Sequence, residues 1–292
     1  MAMFSRKNVF YALYTLGAFV FFLWFLFPAD FFADYLEAMI ARQNRDLTVT
    51  IGQARPALPF ALSLRDVACT VKAEDITVTA DALKVKPGLI SLIRGNPEIA
   101  FTMKGFGGKI SGRIVIPERN PEKMSVENVT VSGLNLETLE DIVSARFPGF
   151  TIRGTLDARG SYSPEGRGNG VLSVSLTDLR VTPDRPFFTI SSLTFPEVTA
   201  DVELKSKKVQ IQTAVVDGHE VDGTLTGSIF IRTPLDRSTL RLSGTVRPDP
   251  AFMKKLGESV PIEALIGKKI NADGDIPFSI SGVVSAPRYA LK

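Results

Sequence analysis

Runs of alternating apolar and polar residues recur from Leu47 to the C-terminus, and they confine this chain to a β-rich fold. Ile76-Thr-Val-Thr-Ala is one, and Lys109 to Ile116, Ser125 to Ser132, Gly170 to Leu176, Val209 to Val215 and Phe278 to Val284 are others. A period of two sends successive side chains to opposite faces of a strand. Val, Ile, Thr and Ser within the runs, with Gly, Pro, Asn or Asp at their borders, mark strands with one wet face. Connections are short, which favours antiparallel meanders over parallel strands joined by crossover helices.

Helical patterns are few. Asn135 to Arg146 places Leu136, Leu139, Ile142 and Val143 on one face, with Asn135 as the cap and Glu137, Glu140 and Asp141 in the first turns. Pro250 to Lys268 is expected to hold two short helices broken near Gly257 and Pro261. A glycine recurs inside strand-like segments: Ile110-Ser-Gly-Arg-Ile, Ile152-Arg-Gly-Thr-Leu, Val221-Asp-Gly-Thr-Leu, Leu242-Ser-Gly-Thr-Val and Ile280-Ser-Gly-Val-Val. The spacing is irregular, so no solenoid follows, but each glycine permits a bulge, sharp coiling or the close approach of another backbone.

The N-terminus obeys a different rule. Val9 to Phe27 is almost wholly apolar and uncharged, and as a helix it is about 28 Å long, enough to cross the hydrocarbon layer of a bilayer. Arg6 and Lys7 precede it; Asp30, Asp34 and Glu37 follow. That charge step keeps the N-terminus in the cytoplasm and sends the rest across. Two readings stand, a retained anchor and a cleaved signal peptide. The length of the segment and the bulky Phe22, Trp24, Phe25 and Phe27 at its exit favour the anchor, while Ala29 and Ala33 are the available cleavage residues. Phe31 to Arg42 continues a helical pattern with Phe32, Leu36, Met39 and Ile40 on one face.

The expected organisation is a cytoplasmic tail (1–8), a single transmembrane anchor (9–30), a helical stalk (31–46) and a β-rich domain (47–292). In a double-membraned bacterium this is an inner-membrane protein whose bulk is periplasmic. The expected fold class is mainly β: the transmembrane helix, then an elongated, strongly curved antiparallel sheet, a trough or half-barrel, with a few short helices.

Composition excludes several functions. The net charge of +3 comes from 34 basic and 31 acidic residues without long runs, so no nucleic-acid footprint is present. Cys69 is the only cysteine, reads as a half-buried strand residue and allows no intrachain disulfide. His219 is the only histidine, which rules out sites built on two His ligands. Asp217, Glu220 and Asp222 flank it, but Asp217-Gly-His reads as a hairpin turn and no nucleophile elbow accompanies it. Gly105-Phe-Gly-Gly matches no phosphate loop. Arg159 and Arg167 beside Gly166-Arg-Gly-Asn-Gly read as solvated loop residues. Asn271, Asp273 and Asp275 around Gly274 lack the length and terminal Glu of a calcium loop and read as a polar turn. The chain is therefore expected not to be an enzyme, with no catalytic, cofactor or metal residues.

Five stretches stand out in order along the chain: Leu83-Lys-Val-Lys-Pro-Gly-Leu-Ile-Ser-Leu-Ile-Arg-Gly-Asn-Pro, then Phe101 and Gly105-Phe-Gly-Gly-Lys-Ile-Ser-Gly, Val216-Asp-Gly-His-Glu-Val-Asp-Gly-Thr-Leu-Thr-Gly-Ser-Ile, Pro234-Leu-Asp-Arg-Ser-Thr-Leu-Arg-Leu, and Gly282-Val-Val-Ser-Ala-Pro-Arg-Tyr-Ala-Leu. Together they resemble the type II secretion system protein N family. The strand-Gly-strand elements also resemble AsmA-like envelope proteins. The first resemblance implies a periplasmic component of a protein export machine, anchored in the inner membrane, with other secretion-system envelope proteins as partners. The second implies a carrier of phospholipid in a hydrophobic β-groove. Alternating apolar positions such as Val129 and Val131, or Ile211 and Val215, would line either a closed core or a lipid trough, and periodicity leaves that choice open.

Overall fold

The computed structural model describes residues 10–11, 14–15, 17–18, 22, 29–43, 46–57, 61–71, 76–88, 90–91, 94–120, 123–146, 149–165, 168–185, 191–257, 270–271 and 274–292. Most of the anchor expected at Val9 to Phe27 lies outside these residues. Among the described residues, no helix is long and apolar enough to cross a membrane.

The chain is mainly β and falls into two compact units, 1–86 and 87–292. In the first, helix α1 (Ala29–Gln43) is followed by β1 (Leu47–Ala57), β2 (Ala61–Val71) and β3 (Ile76–Pro87). The strands form an antiparallel meander with Ile51 opposite Val67 and Cys69 opposite Val78. Helix α1 lies on β1. Its Glu37 Oε1 accepts the Ile51 N–H at 2.6 Å, and Ala33 is buried with Ile51, Ala54 and Leu64 against Val49, Leu62, Val67 and Leu83. The apolar side of this meander is thus roofed by a helix, the usual way a sheet hides its dry face.

The second unit is a longer meander of eleven strands: β4 (Glu98–Gly105), β5 (Gly108–Val115), β6 (Ser125–Asn135), β7 (Phe150–Ser163), β8 (Asn169–Pro183), β9 (Leu193–Lys205), β10 (Lys208–Asp217), β11 (Val221–Phe230), β12 (Thr239–Pro248), β13 (Ile276–Val283) and β14 (Ala286–Leu291). Every pair is antiparallel, strand order is sequence order, and this sheet is not closed. Helices are few and short. Between β6 and β7, the Asn135 side chain caps a 3₁₀ turn (Leu136–Leu139) by accepting the Glu137 N–H, and α2 (Glu140–Arg146) follows. Helix α3 (Pro250–Gly257) follows β12, and the second helix expected before Lys268 lies outside the described residues.

Pairing register slips at β5–β6, β6–β7, β7–β8, β9–β10 and β10–β11. Near the slips Asn128 and Asp178 adopt φ of 50° and 52°. These are residue types that tolerate the left-handed region. The repeated glycines serve the uses expected of them. Gly154, at φ 146°, sits at the β7–β8 slip. Gly244 lies against the Phe278 ring, with the Thr224 carbonyl oxygen crowding the place a β-carbon would take, so a side chain has no room there.

Candidate functional site

Strand register aligns the apolar residues of the second unit into rows that cross the whole meander. One row runs Phe101, Gly112, Val129, Gly160, Leu172, Val202, Ile211, Gly227, Leu242, Ile280 and Tyr289, one residue from each strand from β4 to β14. The next row is Met103, Ile110, Val131, Ala158, Val174, Ala200, Ala214, Leu225, Gly244, Phe278 and Leu291. A third begins at Ile99 and Ile114 and passes through Val126, Tyr162, Gly170 and Leu204 to Leu240. No charged side chain interrupts any of them. Between the rows, on the other face, run Thr102, Ser111, Thr130, Arg159, Ser173 and Asp201, and farther on Thr226, Ser243 and Ser279.

The bulges keep the rows in phase. On β6 the apolar positions are Val126, Val129, Val131 and Leu134, because the extra residues at Asn128 and Gly133 each move the alternation by one. On β10 the slip after Ile211 hands the apolar face to Ala214 and Val216. This corrects one sequence expectation. Ile211, Val129 and Val131 lie on the apolar face, but Val215 stands between Thr199 and Thr224 in a polar row, 40% exposed.

Among the described residues the three rows are left uncovered. None of their residues is buried, whereas Ile51 and Leu64 under α1 are 7% and 5% exposed. In the second unit the buried apolar residues, among those described, are Leu134, Leu136 and Ile276, at the end of the sheet that carries α2 and α3. A depression of about 460 Å³ opens on the uncovered face, a size typical of ligand sites. Ala158, Gly160 and Gly170 belong to its lining, where small side chains leave space, with Val126, Val129, Leu172, Val202, Leu204 and Val209 around them and Tyr162 among the liners.

The residues flagged for chemistry are spread out. His219 occupies the β10–β11 turn and is exposed. Two of the carboxylates that flank it are spent on backbone, with Asp222 accepting the Gly218 N–H and Glu220 accepting the Thr194 N–H. Cys69 is a half-buried free thiol on β2. Arg159 points from the polar face, while Arg167 and Asp273 lie outside the described residues. Asn271 and Gly274 form a turn in which Asp275 pairs with Arg247 at 2.7 Å. Among the described residues no three His, Cys, Asp or Glu side chains gather as metal ligands.

Electrostatic perturbation sits on solvent-exposed pairs. The Lys123 ammonium, through a hydrogen bond to Glu118, holds that carboxyl below its usual range and is itself raised in turn. The hydrogen bond from Lys205 likewise lowers Glu203. Compared with known proteins, the chain matches no family model, no curated protein and no solved structure.

Proposed function

We propose that this protein is anchored in the inner membrane by its N-terminal segment, with its bulk in the periplasm, and holds the acyl chains of membrane phospholipid on the apolar face of its second unit without catalysis. The observation that carries this reading is the set of uncovered apolar rows, two of them continuous over eleven strands. An acyl chain suits such a face because it needs no hydrogen-bond partner, and the rows offer almost none. Each methylene removed from water contributes about 0.8 kcal/mol, so a chain lying across several strands is held firmly without a deep pocket. The bulges increase local coiling, which supports a sheet curved into a trough. The AsmA-like resemblance points the same way.

The test is a photoreactive amino acid placed at Leu172 or Val202, and at Ser173 or Asp201 on the opposite face, in cells labelled with radioactive phosphate. Labelled phospholipid adducts are expected at the first two positions and not at the last two. Absence of adducts at all four, or equal labelling of both faces, defeats the reading.

A second reading, a structural component of a type II secretion apparatus, is favoured by β14. It is the last strand of the sheet and largely exposed, so its outer edge can take a partner strand. Crosslinks from Arg288 to other secretion-system envelope proteins would support it.

A further inference from the structure

At the end of the second unit opposite α2 and α3, three connections form a single platform. They are the β9–β10 hairpin at Ser206, the β11–β12 loop with its 3₁₀ turn Leu235–Arg237, and the β13–β14 hairpin at Val284. Backbone hydrogen bonds tie them together. Ile231 N–H donates to the Lys207 carbonyl at 2.7 Å, Val284 N–H to the Ser238 carbonyl at 2.9 Å, and Ser285 N–H to the Asp236 carbonyl at 3.0 Å. Ser238, only 3% exposed, also accepts the Arg232 N–H with its hydroxyl. The tips of separate hairpins are therefore fixed relative to one another.

Two kinds of side chain crowd this platform. Lys207, Arg232, Arg237 and Arg241 are exposed, and Lys208 and Arg241 stand 5.8 and 5.7 Å from the centre of the Phe230 ring. Among the described residues none of these five cations is in an ion pair, whereas neighbouring Lys205 is neutralised by Glu203 at 2.6 Å. Asp236 is the acidic residue within the β11–β12 loop. Apolar side chains stand at the tips: Leu235 is 71% exposed and Val284 45%. At a loop tip such exposure is unfavourable in water, and it becomes favourable where acyl chains lie beneath a charged headgroup layer.

We propose that this platform docks on a bilayer surface bearing anionic headgroups, with the cations at the phosphate level and Leu235 and Val284 inserted below them. Exposed cations and exposed apolar side chains on the same tied connections match the pairing of charge and hydrocarbon in a membrane interface. Nucleic acid fits less well, because nothing in a phosphate backbone accommodates Leu235 and Val284. The inference does not depend on acyl-chain binding by the sheet face. Docking can fail while the Leu172 adducts persist, and the converse also holds.

The experiment uses the full chain in phosphatidylcholine nanodiscs, mixed with vesicles of phosphatidylcholine alone or with added phosphatidylglycerol. Co-flotation is expected only with phosphatidylglycerol present, and it should fall as salt shortens the reach of the charges. Neutralising Lys207→Gln, Arg232→Gln and Arg237→Gln should lower vesicle affinity roughly fivefold per cation. Leu235→Ser should weaken flotation at every salt concentration. Far-UV circular dichroism verifies folding of each variant. Equal flotation with neutral vesicles, or flotation untouched by the triple variant, overturns the proposal. Heparin binding that matches vesicle binding and ignores Leu235→Ser overturns it in favour of a soluble polyanion.

Discussion

At Gly244 three strands meet with no space for a methyl group: the Thr224 carbonyl presses on one side and the Phe278 ring lies 2.9 Å from where a β-carbon would sit. Gly244→Ala should therefore destabilise the second unit by about 1–3 kcal/mol, the usual cost of overpacking. Gly223 is likewise followed by a threonine within its strand, yet its nearest neighbour would be the Thr245 carbonyl at 3.2 Å, so Gly223→Ala should cost clearly less. Thermal unfolding of the two variants checks the order, and equal losses would show that the close approach at Gly244 is relieved by small shifts. The sequence placed both glycines in strands. It did not distinguish them, because the groups that crowd Gly244 come from β11 and β13, distant in the chain.

Among the elements, β6 shows how bulges decide which residues matter. Asn128 holds φ at 50° so that Val126 and Val129 face the same way. Asn128→Val should cost about 1–2 kcal/mol through the β-carbon's clash in the left-handed region, while Asn128→Gly should be tolerated. Denaturant unfolding reads both, and a neutral Val variant would mean the bulge relocates freely. Downstream, Asn135→Ala removes the cap on the Leu136–Leu139 turn and should cost about 1 kcal/mol. Faster amide exchange confined to the segment through Arg146 is the expected signature. This cap was legible in the sequence, since an Asn before an apolar-periodic segment signals locally. The bulges were not, and Val215 was placed on the wrong face because strict alternation was carried through the slip after Ile211.

For the whole molecule, the question left open by periodicity was whether the apolar face is a closed core or an open surface. In the structure Ile211 is half-buried rather than enclosed, so on the proposed open face Ile211→Asp should keep its carboxylate within reach of water and the protein folded, while abolishing the proposed phospholipid binding. A closed core would instead lose several kcal/mol to the buried, unpaired charge and unfold. Melting temperature together with lipid content by mass spectrometry separates the two: retained fold with retained lipid, or loss of fold, contradicts the open face.

The sequence by itself determined the strands, the hairpin turn that holds His219, the scarcity of helices and the apolar N-terminal segment. These are local properties, written in the period of two, in turn residues and in uninterrupted hydrophobicity. Only the tertiary structure decided which apolar positions align, because alignment from Phe101 to Tyr289 accumulates the register of every intervening pair and each bulge resets it. It also decided that α1 roofs the first unit while the long rows of the second stay uncovered. The burial of a sheet face depends on what packs against it, and no alternation pattern within the strands carries that information.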